Sequence, residues 1–287
     1  MKPPWRNALG PTIFVRSQKE NAVRHAQIVT PRWALILGAS SGFGEATAKH
    51  LARAGYNIIG VHLDRSSTMP HVDEVITDIE STGHSALYFN VNAAHEGKRS
   101  EVLDEVEAEI DENGGTVAVL MHSLAFGTLK PYIADDGLTK RNMDMTLDVM
   151  AHSLVYWAQD LISRGLMGKG GRVFSMTSAG SNRVIHSYGA VSAAKSALES
   201  HTRQLAVELA PYDVTVNALR GGVTRTPAAE RIPESDQLFV EAVRRNPHKR
   251  LTTPDDIGKA IVALSKPGTD WMTGNVINVD GGEDIMG

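Results

Sequence analysis

The chain has 287 residues, no cysteine and a formal net charge of −4. That length buries one sizeable core or two small ones. The absence of cysteine excludes disulfides and thiolate metal sites, and the charge gives no case for nucleic-acid binding. No apolar run approaches the ~20 residues needed to span a bilayer, so the expectation is a cytoplasmic protein without a metal.

Met1 to Pro31 carries Pro3-Pro4, Pro11, several basic residues and Glu20 as its only acid. It lacks the apolar centre of a secretory signal. Trp5, Ile13, Phe14 and Val15 give it something to bury, so 1–31 reads as an N-terminal extension packed on the domain or on a partner subunit. A transit peptide is the alternative. Residues 32–287 then read as one domain.

That domain opens with Trp33–Leu37, an apolar run of buried-strand type. Gly38-Ala39-Ser40-Ser41-Gly42-Phe43-Gly44 follows, and Glu45–Ala52 has helical periodicity. Strand, glycine-rich turn and helix is the context of a dinucleotide loop: glycines let the backbone approach a pyrophosphate, and the helix N-terminus offers free N–H groups. Gly38, Ser40, Ser41, Gly42, Phe43 and Gly44 are therefore candidate cofactor contacts. Further strands are expected at Asn57–His62, Ala86–Val91, Val117–Met121, Gly171–Met176, Asp213–Ala218 and Asn275–Val279. Helices are expected over 97–112, 139–164, Tyr188–Ala210 and 253–264, the last with a Thr253 cap and Pro254 in the first turn. The alternation predicts an α/β fold: a single Rossmann-type doubly wound domain with a seven-stranded parallel sheet flanked by helices. Gly38, His122, Ser178 and Gly222 follow strands and so share the carboxyl rim, where such folds bind ligands.

Tyr188 and Lys195 stand at the head of the longest helical pattern, separated by six residues. Seven positions is close to two helical turns, so both side chains are expected on one face. A phenol beside an ammonium is a proton-donor arrangement, and the positive charge is expected to bring the phenol closer to neutrality. The commoner spacing in nicotinamide reductases has three residues between Tyr and Lys. Here that slot holds Val191, which donates nothing.

Gly38-x3-Gly42-x-Gly44, Tyr188-x6-Lys195, Val216-Asn217-Ala218 and Val279-Asp280-Gly281-Gly282 resemble the short-chain dehydrogenase/reductase family over about Trp33 to Gly282. The Tyr-x6-Lys spacing and Met121-His122-Ser123-Leu124-Ala125-Phe126 resemble its divergent enoyl-acyl-carrier-protein reductase branch. Val216–Thr226 is most similar to the NADPH-dependent FabL type. The resemblance implies that Lys195 holds the nicotinamide ribose and that His122, Ser123 and Leu124 line the cofactor, the first two through backbone groups. It places Gly221, Gly222, Val223 and Thr226 at the nicotinamide amide or phosphates, and Asn90 and Val91 at the adenine. It also implies a homotetramer built on the 141–164 and 188–210 helices, acting on an acyl-carrier-protein or acyl-CoA thioester. Arg220 departs from the small residue usual at its position.

Ser178 lies thirteen residues before Val191, the family's spacing for a catalytic serine. It reads either as a substrate-binding hydroxyl or as the cap of a turn. Cofactor choice rests on neighbours. Asp64, twenty residues after Gly44, suits a ribose 2′-hydroxyl and NADH, whereas Arg65 suits the 2′-phosphate of NADPH. Arg65-Ser66 resembles the FabL pattern, so the reading leans to NADPH with NADH possible. Phe126, Leu129, Tyr132 and the Pro227–Phe239 segment are candidates for an acyl pocket, the last as a mobile lid. Arg244, Arg245, Lys249 and Arg250 form either a docking patch for an acidic carrier protein or a solvated charged face.

Reduction of a carbonyl needs a proton at the oxygen bonded to the carbon that takes hydride. Reduction of an enoyl thioester puts hydride on the β-carbon, and charge appears three bonds away on the thioester oxygen. An acid moved back by about one turn suits the second reaction. Enoyl-thioester reduction in fatty-acid synthesis is the leading expectation. An alcohol/ketone oxidoreductase using Ser178 with Tyr188 is the alternative, and a non-catalytic dinucleotide sensor is a third.

Overall fold

The computed structural model describes residues 30–286, so the expectations for Trp5, Ile13, Phe14 and Val15 fall outside the described residues. Strands β1 (Arg32–Leu37), β2 (Asn57–His62), β3 (Ala86–Asn90), β4 (Thr116–His122), β5 (Arg172–Thr177), β6 (Thr215–Gly221) and β7 (Val276–Val279) form one sheet in the order β3-β2-β1-β4-β5-β6-β7. Every neighbouring pair is parallel.

Both faces of β1 are buried, which is why its sequence is continuously apolar rather than alternating. Trp33, Leu35 and Leu37 join Leu103, Leu154, Trp157 and Leu198 in one core layer. Ala34 and Ile36 join Leu51, Ile79, Phe174 and Ile257 in the other. Each fully buried side chain of this size adds about 1.5–3 kcal/mol. The helices responsible are α1 (Gly42–Arg53), α2 (Met69–Glu80) and α8 (Pro254–Leu264) on one side. On the other are α3 (Glu96–Asn113), α4 (Lys140–Leu147), α5 (Ser153–Ser163) and α6 (Gly189–Glu208). The winding reverses between β1 and β4, and this switch point opens a crevice at their carboxyl ends.

Three elements differ from expectation. Helix α2 is new; its buried Val72, Val75 and Ile79 recur at helical spacing, but within a polar stretch. The helix expected over 139–164 is two helices joined by a π turn at Asp148–His152, as inserted residues often do near functional sites. Strand β6 runs three residues further than its apolar pattern, carrying Arg220 and Gly221 into the sheet. Helix α7 (Ser235–Arg245) begins within the segment expected to be a lid and runs beyond it.

Candidate active site

The glycine loop is shaped by close approaches. Gly38 has φ +89°, and a β-carbon there would lie 2.6 Å from Ser123 O, so β1 and β4 meet across the crevice through backbone alone. A β-carbon on Gly44 would overlap Gly38 O. Gly42, at φ +57°, faces Thr226, bringing the β6–α7 loop over the helix start, while the Phe43 ring abuts Gly221. Leu124 flanks Gly38. Ser41 occupies the N-cap of α1 without a side-chain capping bond, which leaves its hydroxyl and the first N–H groups of α1 for an anion. The cradle fits a pyrophosphate.

Asp64 follows β2 on the same rim. Burial favours protonation of its carboxyl, but hydrogen bonds from Ser40, Thr68 and His62 outweigh this and hold it below the usual carboxylate range. Its backbone is gripped by Asn90: Asp64 N donates to Asn90 Oδ1 at 2.9 Å and Asn90 Nδ2 donates to Asp64 O at 3.0 Å. The Asn90 side chain is thus committed to Asp64 rather than open to an adenine, and Val91 N bonds His62 O. Arg65 is exposed.

Tyr188 is the N-cap of α6, not part of its body, and Ser187 before it is left-handed at φ +57°. The Tyr188 ring lies against Gly180, where a β-carbon would come within 2.6 Å. Burial pushes the phenol up, and the nearby Ser178 hydroxyl offsets this only in part. The expectation that Lys195 draws the phenol towards neutrality is therefore corrected, because desolvation wins. Lys195 is itself buried, which pushes its ammonium down to about 8 against the opposing charge of Glu199. Its Nζ donates to Met176 O at 2.6 Å, leaving two protons for a ligand. Ser178 stands at the N-cap of the short turn Ala179–Ser181 without a side-chain capping bond, and its Oγ is buried beside the Tyr188 hydroxyl without a well-formed hydrogen bond. Val191, in the commoner tyrosine slot, is 4% exposed and packs at Gly127.

His122 ends β4 with its ring wholly buried. Ser153 Oγ donates to Val149 O, so His122 Nε2 is the donor in its 2.8 Å bond to Ser153. Burial, then the Lys195 charge, pushes His122 down to about 3. Burial thus favours the neutral ring, held in place by Ser153. Ser123 meets the loop through its carbonyl.

Phe126 and Tyr132 are more than half exposed near the mouth, and the Tyr132 ring covers Gly189 beside Tyr188. Phe239 is buried beneath Arg225, whose guanidinium stacks 4.3 Å from the ring centre. The basic residues beyond it are internally paired: Arg244 with Glu241, Arg245 with Glu283, and Arg250 with Asp256. Lys249 Nζ donates to Arg244 O. This leaves a solvated charged face rather than a docking patch. The Val223 N–H donates to Glu283 at 3.1 Å. Among the described residues, no three His, Asp or Glu gather as metal ligands, and no helix is long and apolar enough to cross a membrane.

Sequence reasoning missed four contributors. Gly180 makes room for Tyr188, Ser192 and Ser196 hold the turn after β5 from one face of α6, and Glu199 on that face accepts from Thr177 at the end of β5. Their spacing of four and three residues was the available signal.

The glycine loop follows β1, and the Tyr188–Ser178 pair and the Lys195 ammonium gather around the end of β5. A family model described as Enoyl-(Acyl carrier protein) reductase matches residues 38–283. The NADH-dependent enoyl-[acyl-carrier-protein] reductase FabI of Bacillus cereus is 26% identical over 247 residues, 84% of this chain and 91% of that protein. The 2-dehydro-3-deoxy-D-gluconate 5-dehydrogenase of Formosa agariphila is 26% identical over 250 residues, 87% of this chain and 91% of that one. The solved enoyl-[acyl-carrier-protein] reductase (NADH) of Aquifex aeolicus shares the fold, with a TM-score of 0.76 at 24% identity over 90% of this chain and 97% of that one. The chain is therefore an oxidoreductase of the short-chain dehydrogenase/reductase family, matched by that family's model described as Enoyl-(Acyl carrier protein) reductase.

Proposed function

We propose that the protein reduces the 2,3 double bond of an enoyl thioester with a nicotinamide cofactor. The observation that carries this reading is the exchange of positions on α6. Val191 is packed into the core where a carbonyl reductase has its acid, and the phenol that meets the Ser178 hydroxyl is Tyr188, at the N-cap of the same helix. When bound, the nicotinamide supplies the hydride. Tyr188 donates its hydroxyl hydrogen bond to the thioester oxygen as negative charge gathers there, which is worth most in a dry site, and the enolate then takes a proton from water at the α-carbon. A phenol kept protonated by burial is suited to donate. Lys195 holds ribose hydroxyls and adds positive charge. Phe126 and Tyr132 offer apolar surface to an acyl chain.

Ser178 favours a second reading. Its Oγ, poorly aligned beside the Tyr188 hydroxyl, suits a ketone oxygen, as in an alcohol/ketone oxidoreductase. Purified protein is to be given crotonyl and acetoacetyl thioesters in parallel, with cofactor oxidation followed by absorbance. Turnover of crotonyl thioester alone supports the proposal; turnover of acetoacetyl thioester alone overturns it in favour of the second reading. Running the same assay with each acyl group on acyl carrier protein and on coenzyme A decides the carrier.

On the cofactor, the geometry of Asp64 favours NADH over the NADPH expected from Arg65. An ionised carboxylate held against Ser40 accepts a ribose 2′-hydroxyl and repels a 2′-phosphate. Asp64→Ala is expected to raise the kcat/KM ratio of NADPH to NADH by about tenfold or more, the scale of one charge-assisted hydrogen bond. A wild-type preference for NADPH, unmoved by the substitution, would return the choice to Arg65. A cytoplasmic homotetramer serving fatty-acid synthesis accords with this reading, and sedimentation of the purified protein tests the assembly.

A further inference from the structure

Arg220 is the hub of a charged cluster behind Lys195. It sits near the end of β6, 11% exposed, and its guanidinium is shared among three elements. One nitrogen donates to Glu199 at 3.2 Å and to Ser181 Oγ at 3.3 Å; the other reaches Asp284 at 3.1 Å. Glu199 also accepts from Thr177 at 2.7 Å. Arg183 closes the ring on Asp284 at 2.9 Å. Ser192 and Ser196 on α6 donate to the carbonyls of Gly180 and Ser181, so the turn that carries Ser178 is bolted to the helix that carries Lys195.

We infer that Arg220 is a positioning residue: by neutralising Glu199 one turn beyond Lys195, it sets the charge under which that lysine works, and it fixes the Ser178 turn against α6. Glu199 is half of the balance. Its negative charge holds the Lys195 ammonium up against burial, and Arg220 tempers that charge. The other titratable groups around Lys195 are Tyr188 at the head of α6 and the neutral His122 on β4. The His152–His201 pair lies beyond, where the π turn packs on α6. None of these is positioned by Arg220. A guanidinium suits the task because its planar fork serves several acceptors at once, which an ammonium does not.

The inference rests on the Tyr188–Lys195 reading of the site but not on which thioester is reduced. The test compares Arg220→Met, Arg220→Lys and Glu199→Gln in the full-length protein. Two readouts are taken across pH: the basic limb of kcat/KM with whichever thioester the wild type turns over, and NADH affinity by fluorescence quenching. Glu199→Gln removes the charge that supports the ammonium, so its basic limb moves to lower pH. Arg220→Met leaves Glu199 less neutralised, so its limb moves to higher pH, each by about half a unit or more. Arg220→Lys restores the wild-type limb. Opposite shifts in the two neutral variants support the inference. Limbs unmoved in both, with only melting temperature lowered, overturn it and leave Arg220 a fold-stabilising residue. If Arg220→Met does not fold, the acid shift of Glu199→Gln together with a wild-type limb in Arg220→Lys supports it, and an unmoved Glu199→Gln limb overturns it. If neither thioester is reduced, the proposed function fails separately, and the pH dependence of NADH affinity alone carries the comparison.

Discussion

Tyr188→Phe lowers kcat on crotonyl thioester by about 10²- to 10⁴-fold, the range for loss of a positioned acid or oxyanion donor, and leaves NADH affinity and folding intact. The substitution removes one hydroxyl whose partner, Ser178, is poorly aligned, so little folding energy is lost with it. The phenyl ring still rests on Gly180. Ser178→Ala separates the two functional readings. For an enoyl thioester it costs less than about tenfold, because Tyr188 carries the oxygen; for a ketone it approaches the Tyr188→Phe loss. The pH profile identifies the second member of the pair. Burial places the Lys195 titration at about 8 and the Tyr188 titration above its ordinary value, so activity falls as pH rises through the lysine rather than the tyrosine. Folding responds with the opposite sign. Between about 8 and the unperturbed lysine value of 10.5 the unfolded chain binds the extra proton, so the Lys195 contribution to stability grows with pH across that window. A basic limb that survives in Lys195→Met would remove the lysine from this role.

Gly44→Ala is expected to abolish measurable dinucleotide affinity or raise the Kd at least about tenfold, and to lower stability by about 1–3 kcal/mol, as overpacking does. The added methyl overlaps the carbonyl of Gly38, which is backbone and has no rotamer to give. Relief requires the loop to move away from α1, and the loop carries Ser40, Ser41 and Gly42, the residues proposed to meet the pyrophosphate. Gly168→Ala is the control. Gly168 has no positive φ and no atom within 4 Å of the added carbon, so neither affinity nor melting temperature changes. Equal losses in both variants would mean that glycine count, not loop geometry, governs the effect. Together with Tyr188→Phe, this separates cofactor capture from proton donation: one variant loses NADH, the other keeps it and does not turn over.

How much of the site was readable follows from how far apart its partners lie in the chain. The glycine loop and the Tyr188–Lys195 pair were visible because each is encoded within a few residues, where helical and turn geometry alone relate the side chains. Asp64 was visible as an acid at the right distance, but its orientation was not. That depends on Ser40 in one direction and on Asn90, twenty-six residues on, in the other. Arg220 had no account in the sequence because its partners, Ser181, Glu199 and Asp284, come from three separate elements. Arg183 and Asp284, which complete the cluster, are 101 residues apart.

The chain by itself determined the architecture. Apolar runs too continuous for one-sided strands demanded a parallel sheet covered on both faces, and the alternation with helices set its winding. It also determined the chemistry available: a phenol and an ammonium two turns apart, with valine in the slot between. Only the tertiary structure decided how those groups behave. Burial reversed the expected direction of the Tyr188 titration, because removing a phenol from water disfavours its anion more than the Ser178 hydroxyl favours it. The π turn, the commitment of Asn90 to Asp64 and the burial of His122 against Ser153 arise in the same way. Desolvation and long-range hydrogen bonds depend on which distant segments pack together, and no local pattern records that.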